Sequence, residues 1–237
     1  MSELILPKTR AHILEAVEPF HRFDGMFEKG AIAHWNKLAQ AIHAGGGSRR
    51  VVRNPGTFDG EGYTWGDSGD RLDYSVITGD VVTSHMTSLF DQYHNAGVLP
   101  RFAMHSIRRV LREPYDELSR LHVAMLGNGS RVPWHRDKHE IKCALFLTTS
   151  RPGEGAHLEI RPNRGGDVHK IEARAGRLVV FDSNRCEYRL TTCTPKTPGR
   201  KAVVFMDYIH PFVFKIKRPE LLNDFMFGKM DLSGAKE

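Results

Sequence analysis

The sequence predicts an α+β fold in which a jelly-roll, cupin-like barrel of short strands is braced by helices from the N-terminal half. Three observations carry that expectation. Apolar residues recur at helical spacing in the first half of the chain. Beyond Tyr115 the pattern changes to short apolar runs separated by Gly, Pro and Asn. Those runs number eight, the strand count of a jelly roll.

Residues 8–20 carry Ile13, Leu14 and Val17 on one side, which predicts a helix. A second helix is expected over 27–44, with Ile32, Trp35, Leu38 and Ile42 as its stripe and Gly45-Gly46-Gly47 as its stop. Residues 54–80 are rich in Gly and Asp and include Tyr63-Thr64-Trp65-Gly66, the composition of a long loop of the kind that covers binding sites. Tyr63 and Trp65 read equally as loop anchors or as a substrate wall. Two more helices are expected, at 82–95 and at 101–112, where Pro114 ends the second. The eight strands fall at 121–126, 131–134, 142–148, 156–161, 168–173, 177–182, 187–192 and 201–208. The chain thus divides into a support region (1–117), a barrel core (118–212) and a tail or short helix (213–237), all within one compact domain.

At 237 residues, 40% apolar and 26% charged, the chain can bury a full core, and no apolar run approaches membrane-spanning length. The opening Met1-Ser2-Glu3-Leu4-Ile5-Leu6-Pro7 lacks the features of a secretory signal, so a cytoplasmic protein is expected. Cys143, Cys186 and Cys193 are odd in number and form no C-x-x-C pair, against a disulfide framework or a zinc knuckle. The net charge is +6, but basic residues come in pairs such as Arg49-Arg50 and Arg108-Arg109 without a nucleic-acid motif. Nucleic-acid binding is therefore not expected, and a homo- or heterodimer stays open.

The chemistry concentrates at Trp134-His135-Arg136-Asp137. On a strand, residues at i and i+2 face the same way, so His135 and Asp137 supply two thirds of the two-His-one-carboxylate set of non-haem iron(II) oxygenases.

Further motifs follow in order: Leu126-Gly127-Asn128-Gly129 before the pair, Gly153-Glu154-Gly155-Ala156-His157-Leu158 after it, then Gly176-Arg177-Leu178-Val179-Val180-Phe181-Asp182-Ser183 and Pro198-Gly199-Arg200-Lys201. Over roughly residues 120–210 the chain resembles the iron(II)/2-oxoglutarate-dependent oxygenase superfamily in its prolyl-hydroxylase-like branch. That resemblance implies a double-stranded β-helix core, Fe(II) and 2-oxoglutarate as cofactors, and hydroxylation or oxidation of a C–H bond, with a small molecule or amino-acid derivative as the expected substrate. It makes His135 and Asp137 iron ligands. It makes Arg200 or Lys201 the cation for the far carboxylate of 2-oxoglutarate, and strand alternation allows one of them to face the barrel interior.

The pattern departs from the family at the distal histidine. Aligning Phe181-Asp182-Ser183 puts Tyr188 on that position, and a one-residue shorter turn puts Glu187 there. A phenol ligates as phenolate, against a reference pKa near 10, whereas a glutamate is already ionised. Several outcomes stay open: His135, Asp137 and the bidentate co-substrate hold the metal alone; Tyr188, Glu187, His157 or His169 completes the site, as in a metalloenzyme with an altered ligand set; or the barrel is a non-catalytic ligand-binding or partner subunit. Halogenation is disfavoured, because the resembling halogenases lose the carboxylate and Asp137 is present. Among nearby residues, His122, His157 and His169 read first as core or surface histidines, His139 and Glu140 as solvated loop, and Trp134 as barrel packing. Arg185 and Arg189 read as a solvent-facing strand ahead of an anionic-substrate contact.

Overall fold

A computed structural model describes residues 20–53, 71–94, 113, 121–136, 141–163 and 166–209, and the backbone of 12–17, 59–60 and 63–64. The strands are β1 (His12–Val17), β2 (Phe20–Asp24), β3 (Arg49–Arg53), β4 (Asp59–Gly60), β5 (Tyr63–Thr64), β6 (Leu72–Ile77), β7 (Leu121–Leu126), β8 (Val132–His135), β9 (Ile141–Phe146), β10 (Leu158–Pro162), β11 (His169–Ile171), β12 (Leu178–Asp182), β13 (Cys186–Leu190) and β14 (Lys201–Tyr208). All eight strands expected beyond Tyr115 are present, as β7 to β14. They form a jelly roll from two facing sheets, one ordered β12-β9-β14-β7 at the centre of an eight-stranded sheet and the other β11-β10-β13-β8.

Side-chain alternation sorts the core into two layers. On β14, Val203 and Phe205 point between the sheets to meet Leu158, Ile160, Tyr188 and Leu190, while Ala202, Val204 and Met206 point outward. The outward layer is covered by helix α1 (Lys29–Ala44), which buries Ile32, Trp35 and Ala39 and donates Trp35 Nε1–H to Ser88 Oγ at 3.0 Å. The helix ends as its glycines predict: Gly45 N–H reaches Ala41 O, and Gly46 adopts φ +81°.

The N-terminal half departs from its expected helical character. The described part of 8–20 is strand, not helix, and β2 continues to Asp24 against β12. The reason is tertiary: Phe20 enters the barrel layer and Phe23 the outer layer, both essentially buried, and each such burial contributes about 1.5–3 kcal/mol, more than helix propensity can offset. Arg177 holds the end of β2 with a two-pronged pair to Asp24, at 3.0 and 2.9 Å. Strands β3 and β6, unforeseen in the sequence, extend the large sheet beyond β7. The helix expected over 82–95 is two, α2 (Gly79–His85) and α3 (Thr87–Tyr93), separated at Met86 where ψ swings to +47°. The helix expected at 101–112 and the tail at 213–237 lie outside the described residues. Among those residues, no helix is long and apolar enough to cross a membrane.

Candidate functional site

His135 owes its direction to an irregularity in β8. Tyr188 pairs with His135 and Leu190 with Val132, so two steps on β13 oppose three on β8. The extra residue is a β-bulge at Pro133-Trp134, and it lets both Val132 and His135 face the barrel interior. Proline suits that place, since β8 is an edge strand and the ring removes no ladder donor there. His135 is 4% exposed, and its Nδ1 lies 2.9 Å from Pro133 O. A carbonyl can only accept, so Nδ1 carries the proton and Nε2 keeps its lone pair, the tautomer a metal-ligating imidazole needs.

The small sheet then sets out one row across four strands: His169, Ile160, Tyr188, His135. Tyr188 stands directly beside His135, ring centroids 4.0 Å apart. The other offered ligands stand elsewhere. Glu187 alternates to the outer face and binds Arg161. His169 lies three strands from His135, about 14 Å at the usual strand spacing, and its ring packs on Phe20. The Nδ1 of His157 accepts Ala173 N–H at 3.2 Å, and burial pushes its pKa down. Trp134 is not barrel packing but lies on the outer face between the guanidinium groups of Arg161 and Arg189, 4.5 and 4.8 Å from its ring centre. Arg189 is held there by Glu159 at 2.7 Å. Asp137, His139, Glu140 and Trp65 lie outside the described residues, as does the side chain of Tyr63.

Beside this row is an ion pair that sequence reasoning missed. Lys142 and Asp207, directly paired across β9 and β14, point inward and meet at 2.8 Å with essentially no exposure. The ammonium sits 5.5 Å from the ring centre of Tyr188 and 5.3 Å from that of Phe205. One signal was available: each charge interrupts an otherwise apolar strand, Ile141-Lys142-Cys143-Ala144-Leu145-Phe146 and Ala202-Val203-Val204-Phe205-Met206-Asp207.

The two cations at the start of β14 part company. Lys201 shares the inward face with Val203 and Phe205, six residues and about 20 Å along the strand from Asp207. Its ammonium binds Glu154 Oε2 at 2.7 Å and Thr149 O at 3.0 Å, so one of its three donors remains. Arg200 alternates outward. Three hydrogen bonds to Glu154, from Lys201 first and then from the N–H groups of Arg151 and Lys196, hold its carboxyl at about 2 against an ordinary 4.5.

A carboxyl lowered on folding stabilises above its unfolded pKa and loses that contribution as pH falls through the folded value. Wild type should therefore exceed Glu154→Gln in urea midpoint at pH 6, with the gap closing between about pH 4.5 and pH 2. A gap that stays constant with pH would show that charge is not what Glu154 contributes. The cysteines offer no nucleophile: all three are buried outside any disulfide, and burial pushes Cys193 up to about 11 and Cys143 higher.

Of the groups an iron centre requires, His135 fits, with a correctly prepared nitrogen inside a closed barrel. The neighbouring position holds a phenol rather than the expected imidazole. Among the described residues, no three His, Cys, Asp or Glu side chains gather to hold a metal ion.

The sheet order defines a double-stranded β-helix. Among solved structures, the chain is similar to a prolyl-4-hydroxylase from Pseudomonas putida, at 15% identity and TM-score 0.50, covering 81% of this chain and 93% of that one. A prolyl 4-hydroxylase from Phytophthora capsici gives 14% identity and TM-score 0.57, over 90% of this chain and 68% of that one. The α-ketoglutarate-dependent epimerase SnoN of nogalamycin biosynthesis gives 15% and 0.54, over 80% and 78%. At such identities the shared property is the fold. No family model matches the chain, and no curated protein does.

Proposed function

We propose that this chain is an iron(II)/2-oxoglutarate-dependent oxygenase that hydroxylates or otherwise oxidises a C–H bond of a small molecule or amino-acid derivative, with Tyr188 at the distal ligand position. The observation that carries the reading is the register of Tyr188 on His135 inside a jelly roll shared with such enzymes. His135, Asp137 and Tyr188 would hold the metal. When bound, iron(II) and 2-oxoglutarate supply the oxidising chemistry, with O2 consumed and succinate released.

The chain's own residues bind and orient. The Pro133 carbonyl fixes the His135 tautomer, and the bulge aims it. The family resemblance gives the far carboxylate of 2-oxoglutarate to Lys201, which keeps one donor; its ammonium stands at the opposite end of β14 from the Lys142–Asp207 pair beside Tyr188, so it must turn toward the row to meet the co-substrate. Phe181, Tyr188 and Phe205 wall the interior and keep water out.

A second reading, a non-catalytic barrel that binds a ligand or a partner, is favoured by one observation: a fixed ammonium, Lys142, lies beside the proposed metal position. One anaerobic titration with iron(II) and 2-oxoglutarate, followed by O2, separates the two. The oxygenase is expected to develop a weak visible charge-transfer band and then form succinate. Absence of both, with His135→Ala behaving as wild type, would sink the enzyme reading.

A further inference from the structure

We propose that the groove between α1 and the loop ends of β9, β12 and β14 is a binding site for an amphipathic organic anion, with Arg200 as its charge anchor. This cavity lies against the outer layer of the sheet; Lys201, given above to 2-oxoglutarate, also lines it, but the anchor proposed here is Arg200 and the site does not depend on the metal reading. Its volume is about 800 Å3, room for a drug-sized molecule. Phe27, Ile32 and Leu147 give it an apolar floor.

The polar side chains left to a ligand include several donors. Thr148 Oγ1 accepts Ala202 N–H, and Thr149 Oγ1 accepts Ala175 N–H, both at 3.0 Å, so each hydroxyl retains its own proton to donate. Asn36 Oδ1 accepts from Gln40, which turns the Asn36 amide N–H groups toward other partners. Asp24, the acid on this wall among the described residues, is already gripped by both prongs of Arg177. Arg174 approaches it only at 3.8 Å.

Arg200 is the most prepared of these groups. Gln40 clamps its backbone from both sides, accepting Arg200 N–H at 3.2 Å and donating to Arg200 O at 2.8 Å. Its guanidinium lies over Gly127, where a β-carbon would come within 2.7 Å of Nη1. Among the described residues that guanidinium has no hydrogen bond or ion pair, and neither does the ammonium of Lys29 on the same rim. An anion with an apolar body satisfies both the floor and the rim.

The full chain is titrated with 8-anilinonaphthalene-1-sulfonate, whose fluorescence reports an apolar site. Saturable one-to-one binding is expected, displaced by octanoate and not by octanol. Arg200→Gln should weaken it about tenfold, the size of one charge-assisted hydrogen bond. Ala33→Trp, on an exposed helix position where the fold tolerates bulk, should fill the groove and abolish binding with an unchanged melting temperature. His135→Ala should leave binding as it is. Absence of saturable binding, wild-type affinity in both groove variants, or loss with His135→Ala alone would each overturn the assignment.

Discussion

Asp207→Ala is expected to destabilise the fold by about 3–5 kcal/mol, because it removes the carboxylate paired with the buried Lys142 ammonium. Both side chains are essentially unexposed, and the nearest groups around the ammonium include two aromatic rings, whose cation–π attraction recovers only part of the lost ion pair. Removing both charges should behave differently. Lys142→Met with Asp207→Leu keeps the volume and needs no desolvated ion, so most of the loss should return. Urea denaturation of the two single variants, the double variant and wild type closes the cycle. If Asp207→Ala cost less than about 1 kcal/mol, the ammonium would be hydrated or held by another partner, and Asp207 would not be what offsets its burial.

That pair marks the boundary of what the sequence disclosed. Strands β7 to β14 were legible because each is a short apolar run bounded by Gly, Pro or Asn, local information that survives without a partner. Strands β1 and β2 were not, since Ile13, Leu14 and Val17 satisfy helical spacing equally well and only pairing with β12 decides between them. At the site, the inward direction of His135 depends on a bulge that two-residue periodicity cannot show, and Trp134 was misplaced for the same reason. Alternation did contain the answer for Arg200 and Lys201, but the phase was set by Val203 and Phe205 entering the barrel layer. The Lys142–Asp207 contact joins residues 65 positions apart in sequence, beyond the reach of any local pattern.

Tyr188→His is expected to raise iron(II) affinity at least tenfold, the lower end of what losing even an outer-shell partner of a metal ligand costs. The argument is one of protonation. A phenol of ordinary pKa near 10 must give up its proton to ligate, whereas an imidazole of ordinary pKa near 6.5 is already mostly neutral at pH 7.5. Geometry adds that position 188 faces its strand neighbour His135 with rings 4.0 Å apart, so a histidine there points where the tyrosine does. Glu187→His is the matched control, because that side chain lies on the outer face with Arg161 and should leave affinity unchanged. Anaerobic titration gives the affinity, and succinate formation under O2 gives the consequence. Succinate from both wild type and Tyr188→His means that tyrosine is a working variant of the ligand set. Succinate from the histidine variant alone means that one substitution silenced an oxygenase barrel, and equal iron affinity in wild type and all variants means that position 188 does not meet a metal.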